Sequence, residues 1–396
     1  MLGNRPFRRL ILGLAVSYVG DGMSFVAVAW LAIQLAPEAT AGLWVGGAVA
    51  AYTLPGVVGA LAFGRRLRRL RAERLMTADC VVRAVFLGAV PLLWLAGALT
   101  LPLYVALLAL SSLLHAWGVA GQYTVLAELL PQERRLAGNA VVGSLNFAAV
   151  IAGPAIAGVL VTYVSAALVL GVDALTYVFL AILVALSRLP RSGQVFVVEE
   201  GAGGGFALLR SHPELLGLLA LTWFFNFSYG PVEVALPLHV TYDLHAPGTL
   251  LGLYWTLFGV GAVLGGLAVG ALQRSPLWPV LIAIVIGWGL TLLPFGWDSV
   301  PTTVTVACFA LGGAIYGPFV ALSMTLMQAK SPPQHLAAML AARSAALLTA
   351  SPIGTALGGP LSTALGPRLT ISVSGVATLL LGIVASVLLL ARRRSQ

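Results

Sequence analysis

Residues 126–160 read LAELLPQERRLAGNAVVGSLNFAAVIAGPAIAGVL. A polar break at Pro131-Gln132-Glu133-Arg134-Arg135 opens onto a long apolar run, which Gly153-Pro154 and Gly158 interrupt. The plan returns about two hundred residues later. Lys330-Ser331-Pro332-Pro333-Gln334-His335 is again a polar break, and Leu336 to Leu361 is again apolar, with Pro352, Gly354, Gly358 and Gly359 inside it. The Pro-Gln pairs stand at 131 and 333 and the in-run prolines at 154 and 352, so the offset drifts by a few residues. A weak internal repeat of this kind marks a membrane protein built as two halves of one design.

Composition sets the same frame. Of 396 residues, 59% are hydrophobic and 9% charged, against roughly 25% charge in a soluble domain. No water-facing exterior can be assembled from such a chain. Twelve apolar segments have the ~20-residue length that a bilayer requires: about 9–35, 42–63, 75–97, 102–126, 137–163, 166–188, 214–242, 249–272, 277–297, 302–328, 336–364 and 368–391. They are numbered here as spans 1 to 12. The expectation is an all-α membrane protein of twelve transmembrane helices in two pseudo-symmetric six-helix bundles, residues 1–188 and 214–396. The longest connection, polar and Gly-rich 189–213, links them at the midpoint. Span 1 is too long for the core of a signal peptide and has no small-residue cleavage site after it, so it is expected to stay as a helix.

The formal charge of +9 does not point to nucleic acid, because the basic residues lie in short clusters between apolar runs. Arg5, Arg8 and Arg9 precede span 1. Arg65, Arg66, Arg68, Arg69, Arg71 and Arg74 separate spans 2 and 3, Arg134 and Arg135 spans 4 and 5, and Arg188, Arg191 and Arg210 spans 6 and 7. Arg274, Lys330 and Arg392-Arg393-Arg394 complete the set. With twelve alternating helices all of these fall on one side, Arg368 alone falling on the other, while Arg83 and Arg343 lie within spans. Positive residues stay cytoplasmic, so both termini are expected on the cytoplasmic side of the membrane. Cys80 and Cys308 sit in apolar runs and read as packed hydrophobes without a disulfide.

Twelve spans, a six-plus-six repeat, a central linker and a basic loop between spans 2 and 3 resemble the major facilitator superfamily. Gly153, Pro154, Ala157 and Gly158 in span 5 are similar to the superfamily's antiporter motif. The start Phe7-Arg8-Arg9-Leu10, Gly20-Asp21 in span 1, and Leu208-Leu209-Arg210-Ser211-His212-Pro213 before span 7 resemble bacterial exporters of the enterobactin and macrolide efflux type. The resemblance implies a proton-coupled exporter of an amphipathic drug-like or siderophore-like molecule, working by alternating access of the two halves. The expected assembly is a monomer without cofactor. One departure stands out: Gly59-Ala60-Leu61-Ala62 is followed by Phe63-Gly64-Arg65-Arg66, where the family carries an acidic residue of its cytoplasmic charge latch.

Ionisable residues inside a bilayer are costly, about 2.5–3.5 kcal/mol on insertion scales, and must face a cavity, pair or take up a proton. Asp21 is the first proton-coupling candidate, against a structural hydrogen bond to a neighbouring helix; nothing near it in sequence supplies a cation. Glu233 in span 7, the repeat partner of span 1, is the second, against an outer-gate residue. Gly230, Pro231 and Pro237 around it predict a bent or broken helix. Asn226, Tyr229 and Glu233 share one helical face that would line a substrate cavity, and Trp223 beside it is equally suited to plain packing. Gln122 and Tyr123 in span 4 and Asn146 in span 5 offer hydrogen bonds to a substrate or to neighbouring helices. Asp79 and Arg83, spaced i, i+4, read as a structural or gating pair. Arg343 would neutralise an anionic substrate, pair with a carboxylate of the other half, or snorkel to the cytoplasmic face. Asp173 reads as an outer-side structural residue. Gly153, Pro154, Gly158 and Pro352 read as packing residues that serve the rocking motion.

Other function classes are excluded on motif grounds. Lys330 is the only lysine and follows Ala329, so no phosphate-cradling Gly-x-x-x-x-Gly-Lys loop exists. His115, His212, His239, His245 and His335 form no metal-ligand spacing, and no Cys-x-x-Cys is present. No nucleophile–base set marks an enzyme. The alternatives within membrane proteins are an uncoupled carrier of a lipid-like or siderophore-like molecule and a non-transporting sensor or scaffold.

Overall fold

A computed structural model describes residues 4–62, 70–187, 201–267, 276–332 and 335–394. The described residues are helical throughout, as a chain in lipid must be, since hydrocarbon offers no partner to an open N–H or C=O. In order the helices are α1 (Arg5–Leu35), α2 (Ala41–Ala62), α3 (Ala72–Leu95), α4 (Leu101–Ser112), α5 (His115–Leu129), α6 (Gln132–Tyr163), α7 (Ala166–Leu186) and α8 (Gly201–Ser211). They continue as α9 (Pro213–Leu238), α10 (Gly248–Leu267), α11 (Leu277–Leu292), α12 (Thr302–Tyr316), α13 (Phe319–Lys330), α14 (Leu336–Leu365) and α15 (Pro367–Arg394). Local signals set their ends. Asn4 caps α1, its side chain accepting from Phe7 N with Pro6 in the first turn, and Ser165 caps α7 through Leu168 N. Gly366, at φ 84°, separates α14 from α15.

Eleven helical segments among the described residues are long and apolar enough to cross a membrane. The 30-residue α14 covers the remaining expected span. The Arg65, Arg66, Arg68, Arg69, Arg188, Arg191 and Arg274 side chains, the Phe63-Gly64 departure and linker residues 189–200 lie outside the described residues. Cys80 and Cys308 are free thiols.

Three expectations need correction. Spans 4 and 10 are not single helices. Span 4 divides into α4 and α5 at Leu113-Leu114, and span 10 into α12 and α13 at Gly317-Pro318, where proline cannot donate to the preceding turn. The breaks fall at repeat-related positions. Span 7, in contrast, is not broken at Pro231 or Pro237. The α9 helix runs through both and gives way only to a π-helical turn at His239–Asp243. Pro231 leaves the Phe227 carbonyl without its i+4 donor, and the backbone of Gly354 on α14 closes on that carbonyl. Within the linker, α8 forms and packs on α14, burying Leu209.

The chain groups into two compact units. One comprises residues 1–198 with 246–253, the other 199–245 with 254–396. Each contains a crossing of two long helices with glycine on both sides. In the first unit α1 meets α6, where a Cβ on Gly153 would stand 2.5 Å from the Gly22 backbone and one on Gly22 2.5 Å from the Ala149 carbonyl. In the second α9 meets α14, where a Cβ on Gly230 would stand 2.5 Å from the Gly354 carbonyl carbon. Gly158 is used in the same way: a Cβ there would meet Gly252 Cα at 2.8 Å. Small residues let helix backbones approach closely in lipid, where apolar side chains gain nothing by leaving the solvent.

Replacing Gly153 by Ala should therefore lower the unfolding free energy by about 1–3 kcal/mol, the usual cost of overpacking. Gly143→Ala on the same helix, where a Cβ meets nothing within 4 Å, should leave it unchanged. Thermal unfolding of the two purified variants in detergent compares them directly.

Candidate functional site

In the first unit the expected Asp79–Arg83 pair forms, Arg83 Nε standing 3.6 Å from Asp79 Oδ1. It is only part of the arrangement. The Arg83 side chain is 2% exposed and its Nη1 reaches other groups. That nitrogen donates to the Tyr177 hydroxyl at 2.7 Å, to the Tyr52 hydroxyl at 3.3 Å and to Asp21 Oδ1 at 3.4 Å. The rings of Tyr52 and Tyr177 also lie beneath the guanidinium, at 5.5 and 5.1 Å from ring centroid to Cζ. Tyr177 in turn donates to Asp21.

Asp21 thus has the cation that its sequence neighbourhood lacked. Arg83 supplies it from α3, 62 residues away, so the Asp79–Arg83 pair is not a self-contained structural unit. The Asp21 side chain keeps 35% exposure, so it is held by the cluster and open at once. Asp79 lies against Gly118 on α5, the glycine giving it room, and His115 Nδ1 stands 3.8 Å from its other oxygen.

Asp173 on α7 is fully buried. Ser24 Oγ donates to its Oδ2 at 2.5 Å, Thr176 Oγ1 lies 3.2 Å from its Oδ1, and its carboxylate packs on the backbone of Gly20. It stands within electrostatic reach of Asp21 and Arg83. Tyr52, Tyr177 and Asp173 are the members that sequence reading missed or set aside. Their only signal there is a polar residue in an apolar run; i, i+4 spacing puts Asp173 and Tyr177 on one face.

The second unit holds Glu233. Thr355 donates to its Oε2 at 3.0 Å and Ser351 at 3.4 Å, both from α14, flanking Pro352 in sequence. Among the described residues no cation pairs with it. One turn away, Tyr229 stands among Trp255, Phe258, Trp288 and Tyr316, with ring centroids 5.9 to 6.3 Å from its own. Asn226 does not join this face as a free donor, since its Nδ2 donates to Thr222 O of its own helix at 2.7 Å. Trp223 donates Nε1 to Thr349 Oγ1 at 3.1 Å and stacks on Phe227.

Of the other candidates, Gln122 is buried and donates to the Tyr18 hydroxyl. Tyr123 and Asn146 are exposed. Arg343 is buried, not snorkelling to an exposed position; its Nη2 donates to Ser323 Oγ at 3.1 Å, and no carboxylate pairs with it among the described residues. Gly153 lies in the α1–α6 crossing, with Pro154 next to it in an uninterrupted α6.

Membrane-spanning helices with carboxylates set beside hydroxyls and aromatic rings are arranged as a carrier of solutes would need. The sequence profile of the Major Facilitator Superfamily matches residues 10–234 and 215–396, and the chain belongs to that superfamily. It is a membrane transporter, not an enzyme. It is 26% identical over 347 residues to the multidrug efflux pump Tap of Mycolicibacterium fortuitum, covering 84% of this chain and 82% of that one. It is 25% identical over 282 residues to macrolide efflux protein A of Streptococcus pyogenes, covering 68% of each. Its fold is shared with the nucleoside transporter NupG at a TM-score of 0.76 and 13% identity, over 96% of this chain and 98% of that one.

Arg83 is the buried charge on which the cluster depends. Arg83→Met should cost about 3–5 kcal/mol of stability, because it leaves carboxylates without their cation. Adding Asp79→Asn should restore part of that loss. Unfolding midpoints of the single and double variants measure the recovery.

Proposed function

We propose that this protein exports an amphipathic small molecule, drug-like or siderophore-like, in exchange for protons moving inward. Transport is by alternating access between the six-helix halves 1–188 and 214–396, joined by the linker 189–213. The observation that carries this reading is Asp21, a half-open carboxylate inside a span that is tied to Arg83 and Tyr177. An acid in that setting has two states. Ionised, it stays on the guanidinium. Protonated, it loses the charge that binds it there and is free to move with its helix. Coupling follows if substrate and proton compete for this switch.

The efflux pumps among the relatives support export over uptake. The substrate is assigned to the second unit, where Glu233 lies beside the ring cluster around Tyr229. Aromatic faces take an apolar body, and the carboxylate provides a polar anchor. Trp223 and Arg343 contribute to that cavity in this reading, Gln122, Tyr123 and Asn146 are candidate substrate contacts of the first unit, and Gly158 and Pro352 serve the gating. The protein works as a monomer in the bacterial inner membrane, with both termini cytoplasmic.

Inverted membrane vesicles test the coupling, with erythromycin as the probe. Asp21→Asn should abolish uphill accumulation driven by a pH gradient, while the purified variant keeps a wild-type elution profile. Accumulation equal to wild type removes Asp21 from the coupling role, and wild-type accumulation insensitive to the gradient favours an uncoupled carrier.

A further inference from the structure

The first unit places three carboxylates, Asp21, Asp79 and Asp173, around one permanent cation, Arg83. Among the described residues His115, 47% exposed, forms its one ion-pair contact with Asp79. Even with His115 charged, the cluster carries an excess negative charge if every carboxylate is ionised. Like charges in a low-dielectric interior are strongly unfavourable, most of all for an acid that is fully buried and has no cation against it. Asp21 and Asp79 both contact Arg83. Among the described residues the fully buried Asp173 carboxyl hydrogen-bonds only to hydroxyl groups.

Thr176 has one hydroxyl hydrogen and two acceptors within reach, the carbonyl of Asp173 itself at 2.7 Å and Asp173 Oδ1 at 3.2 Å. Ser24 donates to Oδ2. A carboxylate leaves the one Thr176 hydrogen shared between two acceptors. A carboxylic acid protonated on Oδ1 gives each group its own partner: Thr176 keeps the nearer carbonyl and accepts from Oδ1, and Oδ2 accepts from Ser24.

We propose that Asp173 holds a proton in the resting protein and exchanges it with Asp21 during transport. The exchange, though not the resting proton, rests on the proton-coupled reading above. The groups facing the site are Asp21 from α1, Tyr52 from α2, Arg83 and beyond it Asp79 from α3, and Tyr177 from α7 itself. The α6 helix carries no titratable side chain between Arg135 and Tyr163. In the step, the O–H bond of Asp173 breaks and an O–H bond forms on Asp21. Asp173 becomes the anion, and Arg83, released by the neutralised Asp21, becomes its counter-charge. Total charge is unchanged. The half-exposed Asp21 then gives the proton to water.

Infrared difference spectroscopy of the purified protein in lipid nanodiscs at neutral pH reads the resting proton without any substrate. Wild type should show a buried carboxylic-acid C=O stretch that is lost in Asp173→Asn and kept in Asp21→Asn. Asn preserves both hydrogen bonds, its amide donating to Thr176, so the variant should keep the wild-type unfolding midpoint. Ser24→Ala should raise the frequency of the same band by removing the donor to its carbonyl oxygen. A band unchanged in both Asp173→Asn and Ser24→Ala, or no band in wild type, overturns the proposal. In vesicles, Asp173→Asn should lose gradient-driven erythromycin accumulation. Wild-type accumulation by that variant overturns the exchange step alone, and coupled transport by Asp21→Asn overturns the broader reading while leaving the infrared result standing.

Discussion

A single buried guanidinium organises the first unit. Arg83 reaches Asp21, Asp79, Tyr52 and Tyr177 from the middle of α3. Placing such a group out of water costs several kcal/mol, which only good hydrogen bonds and opposite charge recover. Four helices are therefore bound to one another through it, α1, α2, α3 and α7. The same contacts that hold them depend on the charge of Asp21. A protonation change at one carboxylate alters how firmly α1 is held to α3, and a local chemical event becomes a change in helix packing.

The second unit uses its carboxylate differently. Glu233 has hydroxyl donors from α14 and no cation among the described residues. A wall of rings stands one turn along. The two units nonetheless share their scaffold devices. Each sets a glycine crossing between its first and fifth spans, Gly22 with Gly153 and Gly230 with Gly354, and each breaks its fourth span. Close backbone contact fixes the frame in both, so that the side chains around it can diverge, Arg83 and its acids in one and an aromatic cluster in the other.

The repeat and the fold class were legible in the sequence because hydrophobic run length and helix-breaking residues are local signals. Two local geometries were legible as well, the close helix approach at Gly153 and the contact of Asp79 with Arg83 one turn on. What sequence could not supply was partnership across helices. Asp21 looked cationless because Arg83 lies 62 residues away, and Asp173 looked peripheral because Ser24 lies 149 away. Gly230, Pro231 and Pro237 were read as a bend or a break since proline removes a donor. The structure keeps α9 continuous, with Gly354 of α14 packed against the freed carbonyl, a tertiary contact that no local pattern announces. The break in span 4 at Leu113-Leu114 left no proline to mark it.

The proposed proton exchange at the Arg83 cluster would have one direct consequence in solution. If substrate binding and protonation of this cluster oppose one another, adding erythromycin to the purified, weakly buffered wild-type protein must release protons, detectable with a pH-indicator dye. The Asp21→Asn/Asp173→Asn double variant must release none on binding the same probe. Wild-type protein that binds erythromycin without releasing protons would contradict coupling through this cluster.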